Sequence, residues 1–153
     1  MKTHLAIELS AQVVTNPGIR SEVDRLLEEN KLPFRDLGLV EHVLVAYHDQ
    51  SKTLVGCGAL EWYGTHALLR SLAVAATFRG RHYGHQIVAD LMQRAHARNA
   101  EAVYLLTETA RDFFLRLGFA HTPRQDVPQA LQQASQFATV CPVSAACMVH
   151  RLR

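Results

Sequence analysis

The chain lacks any apolar run long enough to cross a membrane; its hydrophobic residues, 48% of the total, come in short stretches broken by polar ones. It also lacks an excess of one charge. Sixteen Lys and Arg stand against 14 Asp and Glu, a net +2 that is too small and too scattered to draw in nucleic acid or a lipid surface. Cysteine is scarce: Cys57, Cys141 and Cys147 are odd in number and form no C-x-x-C pair, which speaks against a disulfide framework and for a reducing compartment. Met1 to Glu8 contain no apolar stretch of signal-peptide length, so a cytoplasmic protein is expected. Two phosphate-binding signatures are missing as well. The absence of G-x-x-x-x-G-K-[ST] speaks against a P-loop NTPase, and the absence of G-x-G-x-x-G after a first strand speaks against a dinucleotide fold. The nine histidines are scattered. His82 and His85 can meet on one helical face, but no carboxylate or cysteine lies nearby, so no metal is expected. There is no repeat, low-complexity tract or linker, and 153 residues suit one domain, 1–153, with a real core.

What is present centres on one stretch. Leu68 to Val74 is an apolar strand, and Arg79-Gly80-Arg81-His82-Tyr83-Gly84 follows as a basic turn leading directly into an amphipathic helix. Amide groups in such a turn and in the first helical turn lack intrahelical partners, and the helix dipole adds positive potential there. Gly80 and Gly84 permit a sharp turn and close approach, while Arg79 and Arg81 add charge. The expected guest is a phosphate or pyrophosphate.

Around this stretch the pattern alternates between strand and helix. Leu5 to Leu9 reads as an opening strand, Thr15-Asn16-Pro17-Gly18 as a turn, and Ser21 as the cap of a helix through Asn30 with Val23, Leu26 and Leu27 inward. Val43 to Tyr47 and Thr53 to Trp62 read as strands joined at His48-Asp49-Gln50-Ser51, and Tyr63-Gly64-Thr65-His66 turns the chain into the central strand. Arg81 to Arg98 carries a helical stripe of Ile87, Val88, Leu91, Met92 and Ala95. Val103 to Thr107 is then a strand parallel to the central one, because a helix joins them. A helix over Ala110 to Leu117 ends at Gly118, Pro128 to Ala138 is helical by pattern, and Cys147 to Leu152 closes the sheet. The expected class is α/β with a mixed, mostly antiparallel sheet.

Arg79 to Gly84, after a strand ending Leu72-Ala73-Val74, resembles the acetyl-CoA motif of GNAT N-acetyltransferases, R/Q-x-x-G-x-G/A, with His82 in place of the middle glycine. A second stretch, Ala110-Arg111-Asp112-Phe113-Phe114-Leu115-Arg116-Leu117-Gly118-Phe119, resembles the family's A-x-x-F-Y-x-x-x-G-F. The resemblance implies the GNAT fold: a mixed sheet flanked by helices, with two parallel strands, Leu68–Val74 and Val103–Thr107, splayed around the cofactor. It implies acetyl-CoA as co-substrate. Leu72, Ala73 and Val74 would contact the pantetheine arm, Arg79, Gly80, Arg81, His82, Tyr83 and Gly84 the pyrophosphate, and Phe113 and Phe114 the thioester end. Many such proteins dimerise, so a homodimer is among the expected states. Tyr104 to Ala110, Leu60-Glu61-Trp62-Tyr63-Gly64, and the tail from Val127 resemble amino-acid acetyltransferases: the acetyltransferase domain of N-acetylglutamate synthase and the small arsenic-resistance relatives.

Acetylating an amine requires a neutral nitrogen, a polarised thioester and a protonated leaving sulfur. The Val74 N–H is the candidate for polarising the carbonyl, by resemblance. The family's usual central-strand glutamate aligns with Leu68. Glu61 is the nearest substitute: if Gly64-Thr65 is a two-residue hairpin loop, Glu61 lies opposite Leu68 and diagonal to Arg70. Two readings of that pair stay open, a structural Glu61–Arg70 ion pair or a base beside a carboxylate-binding arginine, with Glu108 a weaker alternative base. Phe114 stands where many relatives have a Tyr acid, and Tyr83 and Tyr104 are possible replacements. Arg70, Thr107 and Arg124 are the candidate substrate contacts. Cys141 and Ser144 have no recognisable His–acid pair beside them, so direct transfer in a ternary complex is expected over an acyl-enzyme. A sensor that binds CoA without turnover is the alternative from another class.

Overall fold

The computed structural model describes residues 9–134, 137 and 144–152. Seven strands among them form one sheet in the order β1-β2-β3-β4-β5-β7-β6. They are β1 (Ser10–Val13), β2 (His42–His48), β3 (Leu54–Tyr63), β4 (His66–Val74), β5 (Ala102–Thr107), β6 (Ala120–His121) and β7 (Ala146–Arg151). Each neighbouring pair is antiparallel except β4 and β5, which run parallel because helix α2 (Tyr83–Ala97) carries the chain across between them. The remaining helices are α1 (Pro17–Glu29), α3 (Arg111–Arg116) and α4 (Gln129–Gln132). This is the mixed, mostly antiparallel sheet that the sequence led us to expect.

The two faces of the sheet build two cores. On one, Ile87, Val88, Leu91 and Ala95 of α2 pack over Val45, Tyr47, Leu60, Leu69, Val103 and Leu105, with Phe114 and Phe119 completing the cluster. On the other, Val23, Leu26 and Leu27 of α1 cover Leu44, Ala46, Cys57, Ala59 and Ala73. Val127 and Leu131 cover Leu68, Tyr104 and Val149 further along the same face. Alternation along the strands sends successive side chains to opposite cores, which is why both faces of β3 and β4 are apolar.

Helix α1 starts earlier than its sequence suggested. The cap is Asn16, not Ser21: its Oδ1 accepts from Gly18 N at 2.7 Å and Ile19 N at 3.2 Å, and Pro17 occupies the first helical position. A capping Asn followed by Pro is a helix start as much as a turn, and here the helix prevails because Val23, Leu26 and Leu27 then face the sheet. The expected Leu5–Leu9 strand lies almost wholly outside the described residues; Leu9 itself is not in a strand, and pairing begins at Ser10. Of the expected helix from Pro128 to Ala138, Gln129–Gln132 is helical, and part of the rest falls outside the described residues.

Gly56 shows how closely α2 sits on β3. A Cβ there would lie 2.5 Å from the Ala73 carbonyl oxygen and 2.7 Å from Ile87 Cδ1. Backbone cannot move aside without opening the β3–β4 ladder. Gly56→Ala is therefore expected to cost about 1–3 kcal/mol, the usual range for overpacking. Urea denaturation monitored by circular dichroism checks it; an unchanged midpoint would show that the strands relax freely.

Candidate active site

The cleft forms where β4 and β5 part. Their parallel pairing is confined to His66–Ala102, Ala67–Val103 and Leu68–Tyr104. β4 continues to Val74 and β5 to Thr107 with no further pairing between them. On its other side β4 remains bound to β3, and Ala75 N donates to Val55 O at 2.8 Å. Consecutive N–H groups of a strand point to opposite edges, so the Val74 N–H is directed into the gap that β5 has left. Between Arg70 and Ala73, β4 contains one residue more than the facing stretch of β3, and Ser71 takes φ +58° there. This bulge re-aims the last residues of β4. Ser71 is held from two sides: its Oγ accepts from Arg70 Nε at 3.2 Å, and its carbonyl accepts from Cys57 Sγ at 3.3 Å.

A cavity of about 460 Å³ continues from this gap. Leu72, Ala73, Val74, Phe78, Arg79, Gly80, His82, Tyr83, Gly84, His85, Ala110, Phe113 and Asn30 line it. Of the residues that the sequence assigned to the cofactor, Arg81 and Phe114 are the two outside this lining. Arg81 is exposed, with its guanidinium 5.9 Å from the centre of the Phe78 ring. Phe114 is buried in the core between Phe113 and Phe119. The loop has two left-handed residues, Gly80 at φ +79° and His82 at φ +64°. His82 thus meets a conformation that favours glycine, in the small left-handed region where histidine is among the better-tolerated side chains. Arg79 fixes the loop, its Nε donating to Val74 O at 3.2 Å and its Nη2 to Asn30 Oδ1 at 2.6 Å. Gly84 touches Phe113; a Cβ there would sit 3.1 Å and 3.3 Å from two of its ring atoms. The rings of His82, His85 and Phe113 form a row along the wall, with centroids 5.2 Å and 5.4 Å apart.

The second group of candidates lies on the opposite face, with α1. Gly64 and Thr65 do make a two-residue hairpin loop, and Glu61 pairs across from Leu68. Glu61 is 1% and Arg70 4% exposed. Arg70 Nη1 donates to Glu61 Oε2 at 3.1 Å, but its closer partner is Asp36, a residue that the sequence analysis passed over. Asp36 takes Nη1 at 2.5 Å and Nη2 at 2.7 Å in a two-pronged pair. Pro33 O accepts from Nη2 at 3.2 Å, so with Ser71 Oγ all five N–H donors of the guanidinium are engaged. Burial opposes the positive charge, yet Asp36 and Glu61 outweigh it and hold Arg70 above its ordinary pKa. The ion-pair reading of Arg70 fits this geometry; a carboxylate-binding reading has no donor left to use. Glu61 Oε1 also accepts from Tyr63 Oη at 2.8 Å, and burial followed by this bond pushes the phenol pKa up.

The other candidates are dispersed. Thr107 Oγ1 accepts from Ala110 N at 3.0 Å and so shapes the entry to α3. Arg124 is half-buried beside the Thr107 end of β5, donating to Ala145 O at 3.4 Å, next to the Ala146 that pairs with Thr107, with its guanidinium 5.9 Å from the Phe137 ring centre. Glu108 is exposed. Tyr104 is buried against His66, while Tyr83 Oη is buried without a hydrogen-bond partner among the described residues. Cys57 and Cys147 are free thiols, and burial pushes their pKa values up to about 12 and about 11, which makes them poor nucleophiles near neutrality. Cys141 lies outside the described residues, and Ser144 is exposed. No cluster of three or more His, Cys, Asp or Glu able to hold a metal, and no helix long and apolar enough to cross a membrane, occurs among the described residues.

Known structures share this fold. N-acetylglutamate synthase from Neisseria gonorrhoeae, complexed with coenzyme A and N-acetyl-glutamate, superposes with a TM-score of 0.79 at 18% identity over 95% of this chain. The chain spans only 35% of that protein's length. A GNAT-family acetyltransferase from Staphylococcus aureus Mu50 gives a TM-score of 0.76 at 15% identity, covering 95% of this chain and 100% of the other. Rv2747 from Mycobacterium tuberculosis, in complex with CoA, gives 0.73 at 19% identity, covering 94% and 99%. At such identities the likeness is one of fold. No curated protein matches in sequence. The family model for the acetyltransferase (GNAT) domain, however, matches residues 40–121, more than half of the chain and the whole of the β4–loop–α2 unit. The chain belongs to the GNAT acetyltransferase family.

Proposed function

We propose that the protein transfers the acetyl group of acetyl-CoA to the amine of a small amino acid or amino acid analogue, by direct attack within a ternary complex. The observation that carries this reading is the parting of β4 from β5 after Leu68 and Tyr104, which leads straight into the cavity walled by Val74, Arg79–Gly84 and Phe113. The residues present fit CoA. The first turn of α2 offers unpaired amides to a pyrophosphate, Tyr83 has a buried hydroxyl in want of a partner, and Leu72 to Val74 offer a free strand edge to an extended arm. Acetyl-CoA, when bound, supplies the acetyl group already activated as a thioester. In this reading the Val74 N–H, which faces the gap, stabilises negative charge on the carbonyl oxygen. Glu61 is the carboxylate that receives the amine's proton. Phe114 has no proton to give. A thiol pKa near ~8.5 already makes the thiolate a tolerable leaving group, so the departing sulfur can take its proton from the new amide nitrogen. The raised thiols of Cys57 and Cys147 favour this route over an acyl-enzyme.

An amino acid-like acceptor draws support from the relative complexed with N-acetyl-glutamate. Glutamate itself is the second reading on that ground. Arsenical analogues enter through the sequence resemblance alone. The deciding experiment measures CoA release from acetyl-CoA with free amino acids, phosphinic and arsenical analogues, polyamines and short peptides. Turnover confined to one amino acid-like acceptor is the expected result. Tight binding without turnover over the whole panel would instead make this a CoA sensor.

Two variants test the assignments. Arg79→Ala combined with Gly84→Val removes the loop's tie to Asn30 and forces a branched side chain against Phe113; acetyl-CoA binding should disappear in calorimetry, and retained affinity would refute the cofactor site. Arg70→Ala should destabilise the fold by about 3–5 kcal/mol, because Asp36 and Glu61 would be left as buried charges without their counterion. A stability loss below 1 kcal/mol with a raised KM for the acceptor would reassign Arg70 to the substrate.

A further inference from the structure

The polar side chains in the cavity wall are not equally free to meet a ligand. They belong to Asn30, Arg79, His82, Tyr83 and His85. Asn30 and Arg79 are engaged with the protein itself. Asn30 donates from Nδ2 to Leu26 O at 2.8 Å and accepts Arg79 Nη2 on Oδ1 at 2.6 Å, while Arg79 Nε donates to Val74 O at 3.2 Å. Arg81, the loop's other cation, lies outside the lining with its guanidinium near the Phe78 ring. The Tyr83 hydroxyl is buried, and it too has no partner among the described residues. That leaves His82, exposed, and His85, half-buried, whose ring nitrogens make no hydrogen bond among the described residues. His82 also stands in a conformation that glycine would adopt more easily, at φ +64° and ψ 15° immediately before α2. Its side chain gives the helix nothing in exchange, since it makes no capping bond. A disfavoured backbone kept without structural gain, on the wall of a cavity, is a reason to look to the ligand. The two rings are also oriented: His82 meets His85 edge to face at 5.2 Å, and His85 leans on Phe113 at 5.4 Å.

We infer that His82 and His85 donate ring N–H bonds to phosphate oxygens of CoA, so that two imidazoles, rather than the loop's arginines, supply the side-chain part of its anion site. This rests on the acetyltransferase reading above and deepens it, by naming the side chains that bind the nucleotide half of the co-substrate. Position favours an anion. His82 precedes α2 and His85 lies in its first turn, where amides without intrahelical partners and the helix dipole already attract negative charge. The chemistry fits as well. A neutral imidazole carries one N–H and an imidazolium two, so either form can donate, and a hydrogen bond to a charged oxygen is stronger than one to a neutral oxygen. Arg79 in the same wall keeps the local charge positive while its own Nε and Nη2 hold the loop in shape. CoA carries such oxygens in two places, the pyrophosphate and the 3′-phosphate, and the same donors suit both.

The test is calorimetry of the full chain with CoA and with 3′-dephospho-CoA, for the wild type, His82→Gly and His85→Phe, together with thermal unfolding of each protein without ligand. His82→Gly restores the glycine of the family motif and relieves the left-handed backbone. The free variant should therefore melt at the same temperature as the wild type or higher, while its CoA affinity falls roughly tenfold, the scale of one hydrogen bond to a charged group. His85→Phe keeps a ring against Phe113 and leaves the loop backbone alone, removing only the nitrogens. It should weaken CoA in the same direction, a loss that a loop loosened by glycine cannot explain. Equal losses for CoA and 3′-dephospho-CoA assign the contact to the pyrophosphate; a loss confined to CoA assigns it to the 3′-phosphate. Wild-type CoA affinity in His85→Phe would mean that a ring suffices, and would overturn the proposal. So would a His82→Gly protein that melts lower and binds CoA normally, because His82 would then serve the fold alone. If His82→Gly both melts lower and binds worse, His85→Phe decides. All these outcomes leave the acetyltransferase reading standing, whereas a wild type with no affinity for CoA would remove that reading too.

Discussion

The departure of β5 from β4 is the constraint on which the rest of this structure depends. A strand in the middle of a sheet normally has both edges paired, and an edge left open inside a fold exposes backbone groups that must find partners. Here the parallel ladder stops after Leu68 and Tyr104, yet β4 continues for six residues to Val74. A bound ligand can complete that edge. Everything nearby either keeps the gap open or shapes what enters it. Tyr47 Oη bonds Asp90 Oδ2 at 2.6 Å and ties α2 to β2, Gly56 and Gly58 let α2 lie close on β3, and Phe113 closes against Gly84.

The bulge at Ser71 joins the two faces of the sheet. Its oxygens are held by Arg70 and Cys57, and Arg70 is in turn gripped by Asp36, Glu61 and the Pro33 carbonyl. A buried ion cluster is a weak source of net stability, because desolvation offsets much of the attraction, but removing one partner is costly. Its value here is geometric. It holds a non-glycine residue at positive φ beside the strand end that lines the cleft.

Much of this was legible in the chain itself, and the reason is locality. The strands announced themselves through alternation and β-branched residues, and α2 through its apolar stripe. The turn at Arg79–Gly84 was written in six consecutive residues, and the structure places most of them in the cavity wall. The hairpin register followed from two residues, Gly64 and Thr65, which place Glu61 opposite Leu68. What stayed hidden depends on separation or on backbone. Asp36 meets Arg70 across 34 residues of sequence, and nothing in Arg35-Asp36-Leu37 distinguishes it from an exposed loop acid. Ser71 and His82 adopt left-handed conformations that their residue types do not advertise. Asn16-Pro17 was ambiguous for a different reason, since the same pair opens helices and turns.

Asn30 fastens the end of α1 to the Arg79–Gly84 loop. It closes α1 through Nδ2 to Leu26 O at 2.8 Å, and its Oδ1 receives Arg79 from the phosphate-facing loop at 2.6 Å. The segment that leaves Asn30 carries Pro33 and then Asp36, both bound to Arg70 on the face of the sheet that α1 covers. One short connection therefore holds Arg79 of the cavity wall at one end and the buried Arg70 ion cluster at the other, so the wall of the cleft and the bulge at Ser71 are tied to the same few residues of chain.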